Sequence, residues 1–165
     1  MDSKEMSLPL GKEETLKLDG FYYNHLKLGY NGFIGGLNSS KDFRIIPILL
    51  MNYDMSLRGG TVRYTAKERG KFREDLITKS EELFKIKWNH PKCILMTWDE
   101  MLPENSHQCN SRHSGRNQFQ AALLWEADNT ILYTNYEDIQ LPKDCSSNKY
   151  AMLQESSKEQ FSRRP

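Results

Sequence analysis

His107, Cys109 and His113 lie close together in the pattern His-x-Cys-x-x-x-His, and all three are residue types that ligate zinc. A structural zinc takes four nitrogen or sulfur ligands, and no fourth lies nearby, since His25 and His90 are far upstream. The segment therefore reads as a solvated loop rather than a metal centre, and no cofactor is expected. Cys93, Cys109 and Cys145 form an odd set without Cys-x-x-Cys spacing. One disulfide plus a free thiol, or three free thiols, are both open to them. Cys93 sits in an apolar run, where burial raises a thiol pKa and makes the group inert. Asp99 and Glu100, with Glu104 nearby, resemble paired carboxylates. Adjacent residues on a strand point to opposite faces, however, so those two cannot flank one bond. No nucleophile, base and orienting group recur together, and no enzyme is expected.

Arg58, Arg63, Lys67, Arg69, Lys71 and Arg73 cluster with only Glu68 among them. Nucleic-acid recognition would need stacking aromatics interleaved with these cations and a basic domain overall. The net charge is only +1, so nucleic acid is not an expected partner. The cluster reads as a solvated face, with contact to a heparin-like polyanion as the lesser possibility. Asn38-Ser39-Ser40 is the sole Asn-x-Ser/Thr sequon. It is a polar turn in any compartment and a glycan acceptor if the chain is secreted.

The elements that would position these residues follow from hydropathy. Aromatic residues make up 11% of the chain, which argues for a folded core, and 165 residues suffice for one. No apolar stretch is long enough to cross a bilayer as a helix. Residues 1–19 are rich in Lys and Glu, and read as a flexible lead-in. They contain no apolar segment of the kind a secretory leader needs. From Phe21 short apolar runs begin, and Asn31-Gly32 predicts a turn between strands. Arg44 to Tyr53 reads as a buried strand in which Pro47, lacking an N–H, belongs at an end, an edge or a bulge. Thr61 to Thr65 alternates as a half-exposed strand does. A helix is expected near 71–84, with Phe72, Leu76, Ile77, Leu83 and Phe84 on one face. Lys92 to Trp98 predicts a second buried strand. Glu100 to Arg116 predicts a long loop. Asn117 to Trp125 and Thr130 to Tyr136 predict a hairpin turning at Ala127-Asp128-Asn129. Trp98, Phe119 and Trp125 are assigned to the core. Residues 142–165 read as a weakly ordered tail. Strands, one helix, then more strands imply an α+β domain over 20–141. Its sheet is mainly antiparallel, with one amphipathic helix packed against it.

Eight short motifs follow one another along this chain. They are Gly20-Phe21-Tyr22, Asn31-Gly32-Phe33, Ile45-Ile46-Pro47, Gly59-Gly60-Thr61-Val62-Arg63-Tyr64, the helix near 71–84, Thr97-Trp98-Asp99, Asn117-Gln118-Phe119-Gln120 and Asn135-Tyr136. In that order the chain resembles the nidogen-like (NIDO) extracellular domain family of nidogen, alpha-tectorin-like and membrane-mucin-like proteins. The resemblance implies a non-enzymatic module for cell–matrix adhesion and matrix assembly, cut from a larger secreted or cell-surface glycoprotein. Its implied partners are matrix or cell-surface proteins. One departure concerns two acidic positions of the family after its proline, which here are Met51 and Tyr53, with Asp54 one residue away. A different class of reading follows from the absent leader and the odd cysteine count: a cytosolic α+β protein-binding domain with free thiols.

Overall fold

A computed structural model describes residues 5–8, 10–11, 14–50, 53, 60–103, 116–137, 139 and 159–164. In chain order the strands are β1 (Glu5–Leu8), β2 (Leu16–Leu18), β3 (Phe21–Tyr23), β4 (His25–Gly29), β5 (Phe33–Leu37), β6 (Phe43–Pro47) and β7 (Thr61–Ala66). The helix α1 (Lys71–Phe84) follows, then β8 (Lys92–Met101), β9 (Asn117–Glu126), β10 (Asn129–Glu137) and β11 (Glu159–Arg163). They form a four-stranded sheet in the order β1-β4-β5-β6, a five-stranded sheet β11-β10-β9-β8-β7, and the pair β2-β3. Every pairing between them is antiparallel. The α+β class and the antiparallel pairing agree with the sequence reading, but the strands divide into separate sheets.

Side-chain alternation explains why two sheets stack. Leu26, Leu28, Ile34 and Ile46 of the smaller sheet share one core with Ile94, Met96, Trp98, Phe119, Leu123 and Leu132 of the larger. Each sheet has one apolar face, and packing them together removes both from water. From Ala121 to Trp125 strand β9 is apolar without interruption, because that stretch is covered on both sides. Ala121, Leu123 and Trp125 belong to the core between the sheets. Ala122 and Leu124 belong to a second cluster with Leu76 of α1, Cys93, Ile131 and Tyr133. Within that cluster the ring of Phe72 meets Tyr133 edge-on, with centroids 6.0 Å apart.

Several expectations need correction. The lead-in to residue 19 contains β1 and β2, and Leu8, Leu16 and Leu18 are core residues. Its Lys- and Glu-rich composition masked the Leu-x-Leu alternation that buries Leu16 and Leu18 while Lys17 lies between them. In the tail, β11 adds to β10 and lays Phe161 against Tyr133 at 4.9 Å. On α1, Leu83 is 61% exposed, and Ser80 takes the buried place expected for it. The Ser80 hydroxyl accepts a hydrogen bond from Trp88 Nε1 at 2.8 Å, which is why a polar residue is stable there. The helix ends at Lys85 in the left-handed conformation, whose N–H donates to Glu81 O at 3.0 Å.

The run beginning at Arg44 is not a buried strand. Its strand, β6, is the edge of the smaller sheet and stops at Pro47, and only Ile46 within it is buried. Pro47 at an edge agrees with its missing N–H. Strand β8 extends three residues beyond Trp98, so Glu100 and Met101 belong to it and not to the loop.

Candidate functional site

Turn Asn31-Gly32 carries the chain from β4 to β5, and both residues tie together distant segments. Gly32 has φ +81°, and its carbonyl accepts the N–H groups of Ile48 at 2.9 Å and Leu49 at 3.0 Å. A Cβ on Gly32 would stand 2.1 Å from Leu49 O, so the close approach excludes any side chain. Asn31 Oδ1 accepts from Tyr53 N at 3.3 Å.

Register then brings the later motifs to the same place. Val62, Trp98, Phe119 and Tyr136 lie side by side across β7, β8, β9 and β10. The Trp98 and Phe119 rings stack with centroids 4.9 Å apart and planes 12° apart. Trp98 Nε1 donates to Gly29 O at 3.0 Å, crossing from the larger sheet to the smaller. Tyr136 OH does the same toward Ile48 O at 2.7 Å, and Tyr30 OH reaches back to Gly60 O at 3.1 Å. Asn117 is fully buried at the same end of the sheet, opposite Met101. Asn31, Gly32, Gly60, Trp98, Asn117, Phe119 and Tyr136 thus meet at one inter-sheet junction, with Pro47 ending the strand just before Ile48. Gly29, Tyr30 and Ile48 complete it. Sequence reading missed their roles because two of them act through main-chain carbonyls, which no side-chain pattern reveals.

Thr97, Gln120 and Asn135 occupy the next row but face the opposite way, in register with Arg63. Gln120 Nε2 donates to Thr97 Oγ1 at 3.2 Å, and Arg63 pairs with Asp99 at 3.2 Å. This row can offer amide, hydroxyl and guanidinium hydrogen bonds, but it has no acid–base pair poised for proton transfer. Glu100 turns toward Arg116 at 3.5 Å, so Asp99 and Glu100 do not converge. Among the described residues no group of His, Cys, Asp and Glu is arranged to hold a metal. His107, Cys109, His113, Glu104, Cys145, Arg58 and Gly59 lie outside the described residues.

Cys93 is a free, buried thiol on β8. Burial pushes its pKa up to about 11, against the opposing pull of Arg73 and Lys67. Because folding favours the protonated form, this contribution to stability is complete below pH 9.0 and is lost as pH rises toward about 11. At neutral pH, alkylation of the Cys93 peptide is expected to be at least about 100-fold slower in folded protein than in urea-unfolded protein. Mass-spectrometric peptide mapping reads that ratio, and equal rates would contradict the burial.

Asn38 closes the β5–β6 turn: its Oδ1 accepts from Asp42 N at 2.8 Å and its Nδ2 donates to Asp42 Oδ2 at 3.2 Å. The following Ser39 and Ser40 are exposed, so the sequon lies at the surface. Arg73 donates to Pro91 O at 2.6 Å, which removes one member of the basic cluster from free solution.

Glu126 clamps a second turn, accepting from Asn89 N at 2.9 Å and His90 N at 2.6 Å. These two main-chain bonds hold its pKa below the usual carboxylate range, with a smaller contribution from the His90 charge. A depressed carboxylate stabilises the fold above its unfolded pKa, and that stability is lost as pH falls through the folded value. Glu126→Gln is therefore expected to lower the thermal midpoint near neutral pH and to converge with the unmodified protein in acid. Melting curves from pH 7 to about pH 3 would show this, and a difference independent of pH would contradict it.

Together these features define an antiparallel α+β domain whose motif residues join its four-stranded and five-stranded sheets. No family model, curated protein or solved structure matches this chain.

Proposed function

We propose that this chain is a NIDO-like extracellular module that mediates cell–matrix adhesion and matrix assembly without catalysing a reaction. One observation carries the reading. Motif residues spread from Asn31 to Tyr136 gather at a single inter-sheet junction, as expected if the ordered motifs encode a shared core. In this reading the amphipathic helix shields one sheet face, and the remaining strand edges and surfaces meet partners. Such contacts require no deep pocket. Matrix or cell-surface proteins are the proposed partners, and Asn38 is the proposed glycan acceptor.

The test is retention on a decellularised matrix laid down by cultured fibroblasts. Purified protein, secreted from cells behind an added leader, should bind saturably and resist a wash that removes albumin. Retention no greater than that of albumin would overturn the proposal. The free thiol of Cys93 favours a second reading, a cytosolic protein-binding domain. Loss of folding or solubility on passage through an oxidising secretory route would support that alternative.

A further inference from the structure

Strand β6 ends the smaller sheet, and the hydrogen bonds flanking its ladder fix which way its main chain points. At one end Asn38 N donates to Asp42 O at 3.2 Å; at the other Ile48 N donates to Gly32 O at 2.9 Å. Both bonds fit the β5–β6 register, in which Gly36 faces Arg44 and Ile34 faces Ile46. Antiparallel strands alternate inward and outward main-chain groups, so Asp42, Arg44, Ile46 and Ile48 bond to β5. Phe43 and Ile45 must then turn both N–H and C=O away from the sheet, and Pro47 its C=O. Among the described residues no strand pairs with that edge.

The same residues present apolar side chains. Phe43 is 44% exposed and Ile45 is 50% exposed. The ring of Phe43 lies over Gly35, where a Cβ would come within 2.5 Å of it. That glycine opens a space for the ring on the outer face. Edge strands that stay single usually carry charges or bulges that repel a visitor. At the other edge of this sheet, β1 carries the Glu5–Lys27 ion pair at 2.7 Å. On β6 the one charge, Arg44, is stacked 3.3 Å over the Phe21 ring, on the inner side of the strand. It does not guard the outer face.

We propose that β6 is a self-association strand, through which a second copy of this chain pairs antiparallel to form a continuous eight-stranded sheet. A two-fold axis through Ile45 satisfies the geometry. Ile45 exchanges two main-chain hydrogen bonds with Ile45 of the partner subunit. Each Phe43 N–H reaches the carbonyl of Pro47 of the partner subunit. Phe43, Ile45 and Pro47 then form one apolar stripe with their symmetry mates. The neighbouring register, centred on Arg44, would oppose two guanidinium-bearing residues and is disfavoured. Pro47 limits the contact, since it has no N–H to extend the ladder. So short an interface supports a dissociation constant on the order of 10⁻⁴ M, a strength suited to repeated weak contacts in an assembly.

The inference deepens the assembly reading and rests on it for its biological sense, but its test is separate. Sedimentation velocity from about 5 μM to about 1 mM should show the mass rising toward twice that of the monomer. Over the same range, amide exchange at Phe43 and Ile45 should slow about fivefold, while Arg44 and Ile46 are protected at every concentration. Ile45→Pro removes an outward N–H only, so it should fold normally and sediment as a monomer throughout. Ile45→Lys should do the same by placing a charge in the stripe. A wild-type protein monomeric at about 1 mM would overturn the proposal. Unfolding of Ile45→Pro with Ile45→Lys still dimeric would overturn it as well. Self-association without matrix retention would uphold this inference and sink the adhesion reading; matrix retention by a strict monomer would do the reverse.

Discussion

Trp98→Ala is expected to cost about 3–5 kcal/mol of stability, measured as a shift in urea unfolding midpoint at unchanged slope. For a domain of this size that corresponds to a thermal midpoint lower by about 6–20 °C. The size follows from what the indole does. Trp98 is fully buried, stacks on Phe119 at 4.9 Å and donates across the sheets to Gly29 O at 3.0 Å. Trp98→Phe separates these roles, since it retains a ring but leaves the Gly29 carbonyl without its donor. A loss of about 1–3 kcal/mol is expected for that variant. Trp88 and Trp125 remain as fluorophores to follow unfolding. If Trp98→Ala costs less than about 1 kcal/mol, the junction does not join the sheets as described.

Gly32→Ala should be nearly as damaging, and Gly20 provides the control. Both glycines have φ +81°, a conformation that costs an alanine about 1–2 kcal/mol. Around Gly20 nothing lies within 4 Å of the added methyl, whereas at Gly32 it would meet Leu49 O at 2.1 Å. Gly20→Ala should therefore show the conformational cost alone. Gly32→Ala should exceed it by about 1–3 kcal/mol, the usual cost of forcing an atom into a packed site. The two variants, compared by chemical unfolding under identical conditions, isolate the steric part. Equal losses would mean that the carbonyl of Leu49 moves aside freely.

Much of this fold was legible because local chemistry and final environment agree. Asn31-Gly32 reads as a turn and is one; Thr61 to Thr65 alternates and lies at a sheet edge; Ala127-Asp128 closes the β9–β10 hairpin. Trp98, Phe119 and Trp125 are core residues because large aromatic area is seldom left in water. Errors arose where tertiary partners decide. The strands β1 and β11 hold few apolar residues and exist because β4 and β10 accept them as neighbours. Leu83 and Ser80 exchange roles because the Trp88 indole supplies a partner for a buried hydroxyl. The apolar run from Ile45 looked interior, yet Pro47 stops it on the sheet boundary with Ile45 half in water. For the motif residues, order along the chain was visible but convergence was not, because three of the joining bonds end on main-chain oxygens of Gly29, Ile48 and Gly60.

The pairing of Arg164 with Asp19 has a kinetic consequence. Arg164 Nη1 lies 3.4 Å from Asp19 Oδ1, 145 positions earlier, and Arg164 N donates to Thr130 O at 3.0 Å. Closing so long a loop costs entropy before any contact repays it, which places folding in the slow, millisecond-to-second regime of topologically complex β domains. On the ribosome that contact must wait until Arg164 has emerged, whereas β2 and β3 pair with each other much earlier. Until β8, β9 and β10 have emerged, the core face of the smaller sheet lacks the strands that cover it, and the nascent protein is a natural client for chaperones.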